Sequence, residues 1–365
     1  MAEISASMVK ELREKSGAGM MDCKKALNEC NGNMDEAIEY LRKNGLAKAV
    51  KKASRIAAEG ICRVAVDGDS TAAVVEVNSE TDFVAKNEKF QAFVEKVAQQ
   101  AVKSNAKDMD AFLAESYIDD ASKSLNDVLV EQIATIGEKL SIRRFEKLTA
   151  DNGIVTTYVH GGGKIAVLVQ AETASKDDKI KEALTNVAMQ IAAMNPQYLS
   201  RADITAEEMD KIREITIDSA LNDPASLPKP ILQKLFDKAL ADGLFSEEDL
   251  KAYEEQKNNK FLFNFLSDAA KAALSGLAMA AKSSYIADKI FSGLVDGRIS
   301  KQIKEICLME QVYVKAEDGK QNVESYLKSV DPALKIVKFV RFETGEGLEK
   351  KNEDFAAEVA AQIGG

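Results

Sequence analysis

The sequence predicts an α+β fold with more than one core, and three patterns carry that prediction. Apolar residues recur at helical spacing through the first 45 residues. Two β-hairpin signals follow, each leading into an amphipathic helix and a later returning strand. A long proline-punctuated excursion of helical periodicity separates the second helix from its strand.

Three short helices are expected at the N-terminus. In the middle one Asp22 is placed to cap, and Cys23, Ala26, Leu27 and Cys30 recur at i, i+3, i+4 and i+7 on one face. In the third, Asn33 and Glu36 make a capping-box pattern, Ala37, Ile38 and Leu41 point inward, and Gly45 supplies a terminating left-handed residue. Between the first two, Gly17-Ala18-Gly19 permits a tight turn with Met20 and Met21 near its tip, where flexible thioethers suit an adaptable contact. Arg42 to Arg55 is a basic, helix-compatible linker. No aromatic residue interleaves its charges, so it reads as solvated chain and not as an RNA-binding patch.

The period then changes. Ile61 to Val66 and Thr71 to Val77 flank the turn Asp67-Gly68-Asp69-Ser70. A helix after Asn87 carries Phe90, Phe93, Val94, Val97 and Ala101 on one stripe, helical sequence runs on to Gly137, and Ser141 to Leu148 returns as a strand. The order repeats: Ile154 to Val159 and Lys164 to Ala171 flank Gly161-Gly162-Gly163, a helix after Ser175 carries Ile180, Leu184, Val187 and Ile191, and Lys335 to Phe342 is the late strand. Two duplicated subdomains, each a helix covering one face of an antiparallel sheet, are the expected core. Within the excursion, Asn195-Pro196 ends one helix and Pro224, Pro228 and Pro230 break the next, so antiparallel helices follow. Phe261 to Ala281 is too interrupted by Asn264, Asp268 and Lys271 for a membrane span and reads as a buried or partner-facing helix. A terminal helix from Asn352 would put Phe355, Val359 and Ile363 on one face. The expected boundaries are 1–54 for the helical domain and linker, 55–150 and 151–195 for the two core subdomains, 196–309 for the helical module, 310–348 for the returning part of the second subdomain, and 349–365 for the C-terminal module.

With 59 acidic against 49 basic residues the net charge is −10, which repels a phosphate backbone and makes nucleic acid an unexpected partner. Cys23, Cys30, Cys62 and Cys307 form no Cys-x-x-Cys pair and read as reduced thiols; with His160 the single imidazole, no zinc site is expected. The opening residues lack the basic head and apolar stretch of a secretory signal, so the cytoplasm is the expected compartment. A phosphate-binding loop fails at Gly163-Lys164, which is followed by Ile165 and has Tyr158 at the first glycine position. Gly17-Ala18-Gly19 fails as a dinucleotide fingerprint because Asp22 replaces the third glycine. No cofactor or catalytic residue is therefore assigned, and the protein alone is expected to bind neither GDP nor GTP. His160 reads as a polar residue closing a hairpin. The stretch Asn78-Ser79-Glu80-Thr81-Asp82-Phe83-Val84 leaves a strand ahead of a long helix and should form a projecting loop. By type alone Phe83 would tuck under its loop and Asp82 would serve as a turn or cap residue.

Four stretches resemble the elongation factor Ts family: Ser16 to Leu27 (SGAGMMDCKKAL), Glu76 to Phe90 (EVNSETDFVAKNEKF), His160 to Val169 (HGGGKIAVLV), and Arg341 to Lys350 (RFETGEGLEK) with DFAAEVA behind it. The resemblance implies a ubiquitin-associated-like N-terminal domain, two core subdomains, a helical, coiled-coil-like dimerisation module and a C-terminal module. It departs from the family's common form in a longer excursion between Leu221 and Lys282. It also implies a non-enzymatic guanine nucleotide exchange factor for elongation factor Tu in translation elongation. Thr81, Asp82, Phe83 and Val84 match the family segment that enters the partner GTPase and displaces its magnesium. Arg13, Met20 and Met21, and His160 with Gly161, match further contact regions, and a homodimer or 2:2 complex is compatible. The rival expectation is an interaction or ribosome-associated scaffold without exchange activity. The apolar cluster Phe261, Phe263, Phe265 and Leu266 is expected to be covered by self-association, by a partner, or by packing within the insertion.

Overall fold

The computed structural model describes residues 4–16 and 18–350. The expected terminal helix with Phe355, Val359 and Ile363 lies outside them. The chain opens with α1 (Ala6–Ser16), α2 (Met20–Glu29) and α3 (Met34–Lys52), which enclose Val9, Leu12, Cys23, Ala26, Leu27 and Ala37. Asn33 caps α3 as its sequence predicts, accepting from the N–H groups of Asp35 and Glu36. Four local expectations are corrected. Gly19, not Asp22, is the N-cap of α2, and Asp22 sits in the first turn. Met20 and Met21 consequently begin a helix instead of tipping a loop. Ile38 is 37% exposed. Gly45 does not end α3: it is buried against Val130 and Ala134 with helical geometry, and the helix continues to Lys52.

There follow β1 (Glu59–Asp67), β2 (Thr71–Ser79), α4 (Asp82–Ala85), α5 (Glu88–Lys103), α6 (Met109–Ala114), the short strands β3 (Ser116–Tyr117) and β4 (Asp120–Ser124), α7 (Leu125–Ile136), β5 (Ser141–Thr149), β6 (Gly153–His160), β7 (Ile165–Glu172) and α8 (Asp178–Met194). The helical segment comprises α9 (Ala206–Asn222), α10 (Lys229–Ala241), α11 (Glu247–Gln256), α12 (Asp268–Ala280), α13 (Lys282–Ile286) and α14 (Lys289–Ile306); α15 (Val323–Val330) and β8 (Lys335–Glu343) complete the order.

Two antiparallel sheets, β1-β2-β5 and β6-β7-β8, form the frame. Alternation along β2 explains their arrangement. Ala73, Val75 and Val77 meet Phe90, Phe93, Val94 and Val97 of α5, while Ala72 and Val74 pack with Ala166 and Leu168 of β7 and Val340 and Phe342 of β8. Each sheet thus carries a helix on one face and the other sheet on its second face, which is why every β2 residue from Ala72 to Ser79 is buried. Glu76 belongs to the inter-sheet face and is fully buried. Burial pushes its carboxyl up, but hydrogen bonds from Gly345 N–H, Asn78 and Arg144 outweigh it and hold the group below its usual range.

The described residues divide into two compact units, one running to residue 195 and resuming at 325, the other covering 196–324. The second has its own core, in which Leu221, Ile231, Leu235, Phe236, Leu274, Phe291 and Val295 are buried. Its Phe261 to Ala281 stretch is not one helix: a 3-10 turn, Leu262–Phe265, precedes α12, which Ser267 caps. No helix among the described residues is long and apolar enough to cross a membrane.

Candidate functional site

The Thr81–Val84 segment is a single helical turn, not an open loop. Thr81 caps α4: its hydroxyl accepts from Val84 N–H at 3.3 Å and donates to Glu138 Oε1 at 2.8 Å. Glu138 Oε2 accepts from the backbone of Glu80 and Thr81 at 3.1 and 3.0 Å. Ala85 is buried and Val84 packs on the α5 core. Helical geometry then sends the residue between cap and core outward, and Phe83 is 81% exposed. Residue type alone, which would tuck Phe83 under its loop, is overruled; Thr81 is the cap, and Asp82 lies in the turn, as one of its two expected roles. Asp82 pairs with Lys86 at 2.6 Å, a hydrogen bond that holds its carboxyl below the usual range.

The turn borders a groove of about 460 Å³ lined by Ile56, Ala58, Glu59, Glu80 to Phe83 and Lys350. Two other segments converge on the same stretch of β1. Cys62 N–H donates to Gly163 O at 2.7 Å, and a side chain at Gly163 would meet Cys62 O at 2.8 Å, so the β6–β7 turn can lie against β1 only with glycine there. Gly345 packs as closely on Ala58 O, and Thr344 Oγ1 donates to Gly163 O at 3.1 Å. His160 stands exposed at the end of β6 beside this turn, its Nδ1 3.0 Å from Tyr158 Oη, and Gly161 follows with φ +58°. The Phe83 turn thus borders the groove beside Ala58 and Glu59, and the turn next to His160 is hydrogen-bonded to Cys62.

Arg13, Met20 and Met21 belong to the three-helix layer, which meets this unit where α3 packs on α7. All three side chains are exposed, Met20 by 57% and Met21 by 76%, so the methionines are not core residues. Burial pushes the Cys62 thiol up to about 12, far from the range of a reactive thiolate. No group of three His, Cys, Asp or Glu side chains among the described residues is placed to hold a metal ion. Sequence reasoning missed Glu138 and Glu76. The signal for Glu138 was its place just beyond Gly137, a left-handed helix-ending glycine where the chain turns back.

What this edge presents is an exposed aromatic ring and an exposed imidazole on turns over two packed sheets. The sequence model of the family described as Elongation factor TS matches residues 80–346. The chain is 42% identical over 366 residues to elongation factor Ts of Clostridioides difficile (strain 630), with 100% of both chains covered. It is 40% identical to elongation factor Ts of Clostridium novyi (strain NT) over 363 residues and of Clostridium tetani (strain Massachusetts / E88) over 365, covering 99% of each chain. The chain belongs to the elongation factor Ts family. The extended helical segment falls within these full-length matches.

Proposed function

We propose that the protein is a guanine nucleotide exchange factor for elongation factor Tu, acting in the cytoplasm during translation elongation, and that the Thr81–Val84 turn is its working element. Family membership supports the exchange role. The observation that carries the assignment of the turn is Phe83, a large ring left 81% exposed on a turn whose cap and neighbours are fixed. An exposed ring of this size gains most of its burial in a partner's pocket. A magnesium ion beside bound GDP demands a near-octahedral shell, so wedging the loops that support it loosens both ion and nucleotide. Asp82 adds a negative charge one residue away. Arg13, Met20, Met21, His160 and Gly161 supply further contacts.

Binding linkage makes the effect reciprocal: the factor by which this protein weakens GDP on its partner is the factor by which GDP weakens this protein's hold. Incoming GTP therefore expels it, and it acts without making or breaking a covalent bond. The test is release of labelled GDP from elongation factor Tu. Acceleration by substoichiometric protein supports the reading; binding without acceleration would leave a scaffold.

A further inference from the structure

We propose that Glu138 is the positioning residue of this contact element, a reading that rests on the role given above to Phe83. Its carboxylate is the common acceptor for three donors, Glu80 N–H, Thr81 N–H and the Thr81 hydroxyl, at 3.1, 3.0 and 2.8 Å. The Thr81 hydroxyl is simultaneously the cap of the turn that carries Phe83. Removing that acceptor frees the base of the turn while leaving the ring itself untouched.

The anchorage is reciprocal and reaches further. Lys139 N–H donates to Glu80 Oε1 at 2.5 Å, so residues 80–81 and 138–139 grip one another with two carboxylates. Glu80 is paired with Arg55 at 3.2 Å, and Lys139 Nζ donates to Arg55 O at 2.8 Å. Lys52, at the end of α3, donates to Gly137 O. The corner 137–139 therefore takes hold of the Phe83 turn on one side and of the chain leaving the N-terminal helices on the other. Hydrogen bonds to a charged acceptor are the strong ones, and their directions fix the angle at which α4 leaves β2. Pre-set geometry of this kind reduces the ordering cost of association. Through this corner the helices bearing Arg13, Met20 and Met21 are tied to the turn bearing Phe83.

The experiment is a double-mutant cycle on GDP release from elongation factor Tu, with Glu138→Gln, Phe83→Ala and their combination, and melting recorded for each. Gln keeps the size of the side chain but loses the charge that all three donors share. Glu138→Gln is expected to slow exchange roughly tenfold, the scale of a lost charge-assisted hydrogen bond, with nearly unchanged melting. In the Phe83→Ala background the same change is expected to have almost no further effect, because there is no ring left to aim. Additive losses, or wild-type exchange by Glu138→Gln when Phe83→Ala is impaired, would overturn the positioning role alone. Wild-type exchange by Phe83→Ala would overturn the wedge reading and the positioning role with it. Should Glu138→Gln fold poorly, Glu138→Asp, which keeps the charge on a shorter arm, carries the same cycle with the same outcomes.

Discussion

Phe83 and the pair Phe261 and Phe265 sit in short segments ahead of a helix, and both segments are held by a carboxylate from another element. Glu138 accepts from Glu80 and Thr81; Asp249 on α11 accepts from Ser267 N–H at 2.7 Å and Ser267 Oγ at 2.8 Å at the start of α12. The outcomes differ. Around Phe83 the turn sends small residues inward and the ring out. In the second segment Leu262 and Leu266 are buried, Phe263 packs 5.9 Å from Phe236, and only Phe261 and Phe265 remain half exposed, at 56% and 51%. Lys260 lies over the Phe261 ring at 4.8 Å. A cluster that looked too apolar to remain exposed is therefore divided between core and surface. Apolar composition identifies a segment that needs burial; the cap and the register decide which ring gets it.

The comparison breaks most readily in the second region. Phe236 stacks on Tyr253 at 4.8 Å and meets Phe245 edge-on at 5.9 Å, so Phe236→Ala should cost the helical unit about 3 to 5 kcal/mol. Calorimetry should show that loss, and a loss under about 1 kcal/mol would mean the cluster is loosely packed. Asp249→Ala comes next. It leaves the Ser267 N–H and two hydroxyls without the acceptor that the buried Asp249 supplies, for about 1 to 3 kcal/mol. Hydrogen bonds from Ser246 Oγ and Ser267 N–H hold the Asp249 carboxyl below its usual range. Because the folded value is the lower one, this stabilisation is complete above the unfolded value of about 3.9 and is lost as pH falls through the folded value. The gap in melting between wild type and Asp249→Ala should accordingly close in acid. The smallest effect is expected from Phe261→Ser combined with Phe265→Ser, within about 0.5 kcal/mol in melting, as for surface positions. Light scattering on this variant also tests self-association, since a fall in mass with intact melting would place that contact here. Point changes are the sharper tool, because deleting 222–282 would strip Ile231, Leu235, Phe236 and Leu274 from the core.

Much of the frame was legible in the sequence. Turn glycines, caps such as Asn33 and Asn87, and period-two strands locate both sheets and the helices that cover them. Packing between the sheets was not legible, because the burial of the second face of β2 depends on residues from β7 and β8, far along the chain. The β3–β4 hairpin was also missed, since its strands are short, largely polar and carry no apolar alternation. At the site the sequence marked out Thr81 to Val84 as a projecting segment, which the family resemblance makes a partner contact; only residue type taken alone pointed to a tucked ring at Phe83 and a turn or cap role for Asp82. Residue type does not reveal that Thr81 caps the turn while its hydroxyl donates to Glu138, 57 positions away.

One variant, measured twice, decides the role of the Thr81–Val84 turn. Phe83→Ala is expected to melt like wild type, because its ring makes little of its contact within the free protein, and to lose about 2 kcal/mol or more of binding, with strongly slowed release of labelled GDP from elongation factor Tu. Wild-type GDP release, or a melting loss of about 3 kcal/mol typical of a buried phenylalanine, would contradict it.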